Sequence, residues 1–319
     1  MEFDEPAVAQ YCAEEIMDIT QGRLAAGLMS EASAAICSDT RILMEGDWFL
    51  ALPGRTFDGH DFLGDAFAAG AVGAIVTERP SYPIGNQQFP LIAVDDTRAA
   101  YYALARNWRR RINPLTVAIC GITGQAVTAS MCQEIMGRKL RCHSLDAQGS
   151  NNCCLPAEVL AMKDDTQALI LPLAAESLEQ MSQEASCLLP DIAIITSDSG
   201  RLCQESSARQ CSDEIFCQLL SVLKKPRGVA ILGQCSERML CLAERVCACK
   251  LVSAIGGSVS QVSKSNETTV FRIEGSSTVF EVRGQGPAAM ELAWCAIMAG
   301  REAGLSDEII AAGLGAFVR

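Results

Sequence analysis

Val117-Ala118-Ile119-Cys120 runs straight into Gly121-Ile122-Thr123-Gly124, an apolar strand pattern that ends in a glycine turn and has a helical pattern behind it. That order of parts is the setting of a phosphate loop. Such a loop wraps phosphate oxygens with backbone N–H groups, reaches the terminal phosphates with a lysine and holds Mg²⁺ with a hydroxyl. Gly124 can be taken as the first glycine of a short G-x-x-G-K-T form. The segment Thr123-Gly124-Gln125-Ala126-Val127-Thr128-Ala129-Ser130 then puts Val127, Thr128 and Ala129 where glycine, lysine and threonine belong. Val127 adds a β-branched side chain where backbone must approach a ligand, and Thr128 removes a full positive charge. Two readings stay open: a strand-to-helix turn that binds nothing, or a loop that still donates one or two N–H bonds, as helix N-termini do.

The other reactive residue types are scattered. Sixteen cysteines include no C-x-x-C pair, and the close sets Cys153/Cys154 and Cys247/Cys249 have no neighbouring histidine. Reduced, mostly buried thiols are therefore expected, rather than disulfides or zinc. With His60 and His143 as the only histidines, no metal site is expected. A net charge of −12 argues against nucleic acid, whose binding rests on phosphate neutralisation by Lys and Arg. The one basic run, Arg109-Arg110-Arg111, closes a helical pattern before Asn113-Pro114, where positive charge suits the negative end of the helix dipole. The acidic start MEFDEPAVAQ does not read as a secretory signal. No stretch approaches the roughly 18 apolar residues of a membrane span. The expectation is a soluble cytoplasmic protein with no membrane contact.

The elements that must position the loop follow from apolar runs and their breakers. In the first third, Trp48 to Leu52 reads as a strand ended by Pro53-Gly54 and Phe62 to Ala69 as a helix. Gly73 to Thr77 and Leu91 to Val94 read as strands, and Arg98 to Arg111 as an amphipathic helix. Pro114 marks a boundary because it cannot continue that helix. Beyond it, buried-strand runs at Leu115 to Cys120, Ala168 to Leu173, Ile192 to Thr196, Val229 to Leu232 and Leu251 to Ile255 alternate with helices such as Glu205 to Leu223 and Glu237 to Ala248. Crossover units and a mainly parallel sheet follow. Thr268 to Ile273 and Thr278 to Arg283 read as an antiparallel hairpin added to that sheet. Ala288 to Ala303 and Ser306 to Phe317 read as helices, the second capped by Ser306. The expected fold class is α/β: a small domain over 1–112, then a phosphate-loop-like domain over 113–319 whose mainly parallel sheet is flanked by helices.

Three further segments carry a resemblance: Ser38-Asp39-Thr40-Arg41, Glu45-Gly46-Asp47-Trp48-Phe49-Leu50-Ala51-Leu52, and Phe57-Asp58-Gly59-His60-Asp61-Phe62. Together they resemble the N-terminal domain of the Mur ligases, the ATP-dependent enzymes that extend the peptide on UDP-N-acetylmuramic acid in peptidoglycan synthesis. The chain looks most similar to the members that add D-alanyl-D-alanine. Asp95-Asp96-Thr97-Arg98, Gly121-Ile122-Thr123-Gly124, Asn151-Asn152 before Pro156, and Pro190 to Thr196 occur in the family's order, so the resemblance covers nearly the whole chain. It implies an N-terminal domain that binds the UDP part of the substrate and a central domain that binds ATP. A C-terminal domain that closes on both is expected to be absent here. By resemblance, Ser38, Asp39, Thr40, Arg41, Phe57, Asp58, Gly59 and His60 lie near the UDP-sugar, where hydroxyls and a guanidinium can satisfy uracil, ribose and diphosphate. The residues themselves leave another reading open, in which Asp39 pairs with Arg41 and Asp58-Gly59 is simply a turn.

Carried across one at a time, the central-domain residues are lost. The family's Mg²⁺-binding glutamate matches Pro172 and the histidine of the same motif Ser177. A later asparagine and histidine match Ser197 and Leu202, and the carbamylated lysine matches Ser212 before Asp213-Glu214-Ile215-Phe216. The H-N-x-x-N-A motif is replaced by Gly286-Pro287-Ala288-Ala289-Met290-Glu291. Asn151 and Asn152 remain as a vestige. ATP and Mg²⁺ are the family's cofactors, but none is expected here, nor any catalytic residue. The leading expectation is a pseudoenzyme that keeps a UDP-muramyl peptide or a peptidoglycan-synthesis protein as its partner. The alternatives are an active acid–amino acid ligase completed by another chain, and an interaction module or decaying gene product with no small ligand.

Overall fold

A parallel sheet covered by helices on both faces must bury its strands completely, and Trp48-Phe49-Leu50, Ala74-Ile75-Val76 and Ile192 to Ser197 are buried throughout. The structure, a computed structural model, describes residues 7–29, 31–54, 56–77, 89–144, 154–198, 206–224, 227–254, 259–264, 268–283 and 286–317. In chain order the first elements are α1 (Ala13–Thr20), β1 (Arg23–Ala26), β2 (Ile36–Cys37), β3 (Trp48–Leu50), α2 (Leu63–Ala68), β4 (Gly73–Thr77), β5 (Leu91–Val94) and α3 (Thr97–Ile112). Then come β6 (Leu115–Cys120), α4 (Gln125–Met136), β7 (Cys142–Ser144), α5 (Leu155–Leu160), β8 (Ala168–Pro172), α6 (Leu178–Leu188), β9 (Ile192–Ser197) and α7 (Ser206–Ser221). The chain continues through β10 (Val229–Gln234), α8 (Glu237–Val246), β11 (Lys250–Ser253), β12 (Val259–Lys264), β13 (Thr268–Ile273), β14 (Phe280–Arg283), α9 (Gly286–Glu302) and α10 (Asp307–Ala316). They form two compact units, Met1–Asn113 with Asn152–Asp165, and Pro114–Asn151 with Thr166–Arg319.

The first unit holds a five-stranded sheet ordered β1-β5-β4-β3-β2, parallel except where β1 pairs with β5. Trp48 is fully buried and donates its indole N–H to the Tyr11 carbonyl at 3.1 Å. Its ring fills the space over Gly73, where an added Cβ would lie 2.2 Å from Trp48 Cζ3, so β4 can cross there only as glycine. Asp96 caps α3 by accepting from the N–H groups of Arg98 and Ala99. Arg109, the first residue of the basic run that closes α3, is 2% exposed. Arg111 stays outside and reaches Glu15 at 3.5 Å.

The second unit holds a six-stranded, fully parallel sheet ordered β11-β10-β9-β6-β8-β7. The buried strand expected over Leu251 to Ile255 is the edge strand β11, whose Leu251 to Ser253 are only half-buried; Ile255 lies outside the described residues. The expected hairpin is not an addition to the parallel sheet either. A third strand, β12, pairs with β13 and makes a separate antiparallel sheet ordered β12-β13-β14. Thr269, Phe271 and Ile273 point from one face of β13 into the core, so this sheet packs on that face alone; Phe271 and Phe280 share a cluster with Trp294 of α9 and Ile310 of α10. Ser306 stands at the N-cap of α10, but its side chain makes no capping bond to the backbone.

Candidate functional site

The order of the six strands locates the first candidate site. From β6 the chain goes through α4 toward β7 and β8 on one side, whereas from β9 it goes through α7 toward β10 and β11 on the other. Ligands of open parallel sheets sit at the carboxyl ends of the strands where this reversal occurs. Here that crevice lies between the Gly121–Gly124 turn and Ser197-Asp198.

The turn holds two glycines in conformations that other residues rarely adopt. Gly121 has φ 153° and Gly124 φ 88°, and Gly124 stands at the N-cap of α4. Neither takes a side chain without strain: a Cβ on Gly121 would lie 2.1 Å from Thr196 Oγ1, and one on Gly124, at positive φ, 2.5 Å from the tip of the Leu292 side chain. The turn is fastened by protein groups. Ile122 N–H donates to the Ser197 carbonyl at 3.2 Å and Thr123 N–H to Ser197 Oγ at 3.1 Å. Thr196 Oγ1 donates to the Thr123 carbonyl at 2.6 Å, and Gln125 Nε2 to the Gly121 carbonyl at 2.9 Å. The side chains behind the turn have gone elsewhere. Val127 packs against the core cluster, Thr128 is fully buried with no hydrogen-bond partner for its hydroxyl, and Ser130 Oγ bonds back to the Ala126 carbonyl at 3.0 Å.

Two buried carboxylates that residue types alone did not single out lie beside this crevice. Asp198, 1% exposed, accepts from Ser236 N–H at 3.0 Å and from the Ser236 hydroxyl. Asp213, 5% exposed, meets Arg238 Nε at 3.1 Å; burial pushes its carboxyl up, Arg238 pulls it down and Asp198 pushes it up again. Pro172 ends β8, and Ser177 caps α6 by accepting from Gln180 N–H at 3.1 Å. Asn151, Asn152 and Leu202 lie outside the described residues, and the side chain of Ser212, within α7, is not described. Among the described residues no group of three or more His, Cys, Asp and Glu is placed to hold a metal ion.

The second candidate site lies in the first unit. Asp39 and Arg41 pair bidentately, Arg41 Nε to Oδ1 at 2.9 Å and Nη2 to Oδ2 at 2.5 Å, and the pair holds the Asp39 carboxyl below its usual range. Ser38 hydrogen-bonds the buried Tyr101 phenol, whose own ionisation burial opposes. Thr40 is half-buried. In the other segment, His60 is only 2% exposed and both ring nitrogens are engaged. Its Nε2 lies 3.0 Å from Thr77 N, a group that can only donate, so Nε2 accepts and Nδ1 carries the proton. That proton goes to Asp58 Oδ1 at 2.6 Å, and the same oxygen accepts from His60 N–H at 3.1 Å. Gly59 fits because its backbone runs against Leu52, where a Cβ would meet Leu52 N at 2.6 Å. Phe57, at the tip, is 71% exposed and touches Phe62 edge-on.

The thirteen cysteines described form no disulfide with one another, but only Cys120, Cys132, Cys187, Cys235 and Cys295 are buried, fewer than expected, and Cys154 and Cys241 are exposed. Burial pushes the Cys120, Cys132, Cys235 and Cys295 thiols up, which makes them inert. Among the described residues no helix is long and apolar enough to cross a membrane.

No family model matches the chain. It is 28% identical over 284 residues to the UDP-N-acetylmuramoyl-tripeptide–D-alanyl-D-alanine ligase of Bacillus subtilis, a match covering 88% of this chain and 61% of that protein. It is 30% identical over 210 residues to the ligase of the same name from Synechocystis, covering 66% of this chain and 46% of that protein. The matched part is thus about half to three-fifths of these relatives' length. In fold it is similar to MurF from Acinetobacter baumannii, with a TM-score of 0.86 and 23% identity over 98% of this chain and 68% of the other. MurF ligase from Thermotoga maritima in complex with ADP gives a TM-score of 0.76 and 18% identity over 90% of this chain and 66% of the other.

Proposed function

The chain is related to the Mur ligases in sequence and shares their fold, and from that premise we propose that it binds a UDP-N-acetylmuramoyl peptide in its first unit without ligating anything to it. The second unit then serves as a scaffold derived from an ATP-binding domain. One observation carries the reading: the turn keeps Gly121 and Gly124 in their special conformations, while Val127, Thr128 and Ala129 stand where the phosphate-binding and metal-binding groups belong. Forming an acyl phosphate from ATP needs cationic groups and a metal on the transferring phosphoryl. A buried threonine whose hydroxyl has no partner does not fit that demand, and Gly121 to Ser130 contains no lysine or arginine to meet it.

Binding in the first unit is supported by the surface that remains. The Asp39–Arg41 pair is exposed, so a diphosphate can compete for the guanidinium without breaking the core. The His60–Asp58–Thr77 bonds hold the neighbouring loop in one shape before any ligand arrives. Isothermal titration with UDP-N-acetylmuramoyl-tripeptide tests the reading. Saturable heat is expected, and no heat at about millimolar ligand overturns it. Adding D-alanyl-D-alanine and MgATP is expected to release no ADP; sustained, Mg²⁺-dependent release would show an active ligase completed in some other way.

A further inference from the structure

The end of α4 borders a cavity of about 500 Å³, lined by Gln133, Glu134, Gly137, Arg138, Leu140 and Cys142, all in the second unit. It is separate from the first candidate site. The Gly121–Gly124 turn stands at the start of α4 and this cavity at its end, and the twelve residues of that helix span about 18 Å. Glu134 and Arg138 are four positions apart, a spacing at which opposite charges on a helix attract one another. Here both are exposed and they do not pair with each other. Arg138 Nη2 donates to the Ala312 carbonyl of α10 at 3.2 Å, which leaves the rest of its fork of donors for a ligand. Gln133 Oε1 accepts from the Ser144 hydroxyl of β7, so its side-chain NH₂ is the end left over. Leu140 and Cys142 are half-buried and form an apolar wall, with the Cys142 S–H directed to the Leu140 carbonyl at 3.6 Å.

These groups select a pattern of charge. A carboxylate and a guanidinium that line one cavity without pairing suit a ligand that carries both opposite charges. Side chains four apart on a helix stand about 5–6 Å apart at Cβ, which matches an ammonium and a carboxylate on one carbon better than the two ends of a peptide. The neighbouring charges agree. Lys139 and Arg141, exposed and interleaved in sequence with the lining residues, draw a carboxylate, whereas Glu134 is the one acid of the lining and repels a second negative charge on the ligand. Where α10 meets α4, at Ala312 and Gly313, it brings no charge. We propose that this cavity binds a free α-amino acid with a small apolar side chain, its carboxylate on Arg138 and the Gln133 amide, its ammonium on Glu134 and its side chain against Leu140 and Cys142. The inference does not rest on UDP-sugar binding in the first unit.

Saturation-transfer NMR on the full chain tests it, with alanine, N-acetylalanine and alaninamide as probes. Alanine should give a saturable methyl signal with a dissociation constant on the order of millimolar, as befits a small ligand on exposed charges. N-acetylalanine, which lacks the ammonium, and alaninamide, which lacks the carboxylate, should each bind at least about threefold more weakly. Glu134→Gln should weaken alanine to a similar extent without weakening N-acetylalanine, and Arg138→Gln should weaken alanine without weakening alaninamide, because each variant removes only the partner that its probe already lacks. Both side chains are exposed, so the melting temperature of Glu134→Gln should stay that of the wild type. No alanine signal at about 20 mM overturns the proposal. Equal binding of the three probes, or alanine binding unchanged in both variants, does the same. Acetate that binds as tightly as alanine would reveal a plain anion site on Arg138 and would also overturn it.

Discussion

Replacing His60 with alanine separates a residue that holds the candidate substrate loop from one that touches the ligand. The ring is 2% exposed, donates to Asp58 Oδ1 at 2.6 Å and accepts from Thr77 N–H at 3.0 Å. Each bond contributes about 1 kcal/mol net, and a polar group left unpaired in a part-buried site costs about 1–3 kcal/mol more. The space left by the ring adds a cavity cost, so the total for His60→Ala is about 3–5 kcal/mol. At roughly 3–5 °C per kcal/mol for a domain of this size, the first transition should fall by about 10 °C or more. Thermal unfolding followed by tryptophan fluorescence, with Trp48 fully buried in the same unit, measures it. His60→Gln, which can offer an oxygen to Thr77 N–H and an amide to Asp58, should recover part of the loss. An unchanged midpoint in His60→Ala together with lost UDP-sugar binding would refute the reasoning, because the imidazole would then be spending its bonds on the ligand.

Two further substitutions probe the second unit. Gly124→Ala should cost about 2–4 kcal/mol, from left-handed backbone strain and the crowding of Leu292 at 2.5 Å. Gly304→Ala, at φ 81° with nothing within 4 Å, should cost only about 1–2 kcal/mol, and equal losses in thermal melts would show that Leu292 gives way freely. Glu184 is 6% exposed, its Oε1 accepts from Gln180 Nε2 at 2.8 Å, and its Oε2 has no partner; burial holds the carboxyl above its ordinary range. Its folded pKa is raised, so its contribution is fully present below the unfolded pKa of about 4.3 and is lost as pH rises through the folded value. Wild type should therefore lose stability relative to Glu184→Gln between about pH 4 and neutrality. Parallel stability–pH curves for the two proteins would contradict that.

Most of the architecture was legible because the central strands are apolar runs closed by proline or glycine. Leu115 to Cys120 and Ile192 to Ser197 need no partner to be recognised. The missed elements are those whose own residues carry little signal. β2 has two residues, β7 is Cys142-His143-Ser144, and β12 is Val259-Ser260-Gln261-Val262-Ser263-Lys264, with valine only at every third position, so each exists because a neighbouring strand offers it hydrogen bonds. The basic run gave no sign that Arg109 is buried, as its helix neighbours Trp108 and Ala105 are. The loop showed its glycines but not its fastening. Ser197 lies 74 positions from Thr123, and Ser236 lies 38 from Asp198, distances over which residue types alone predict no contact.

That fastening bears on what a preserved loop shape means. In a working phosphate loop the ligand's oxygens collect the N–H groups, and the shape and the chemistry stand or fall together. Here Ser197 takes the N–H groups of Ile122 and Thr123, Thr196 and Gln125 tie down the carbonyls of Thr123 and Gly121, and Thr128 N–H already bonds the Gly124 carbonyl within α4. Leu292 closes on Gly124 from α9 and Thr196 on Gly121 from β9, and both glycines have positive φ, so packing and backbone conformation account for each without a ligand. None of these bonds needs a lysine at position 128. A chain under selection only to stay folded would keep both glycines and their positive φ, and would be free to change Val127, Thr128 and Ala129. On the proposed reading the glycines thus report packing and backbone conformation, and Val127, Thr128 and Ala129 are the positions that bear on the chemistry.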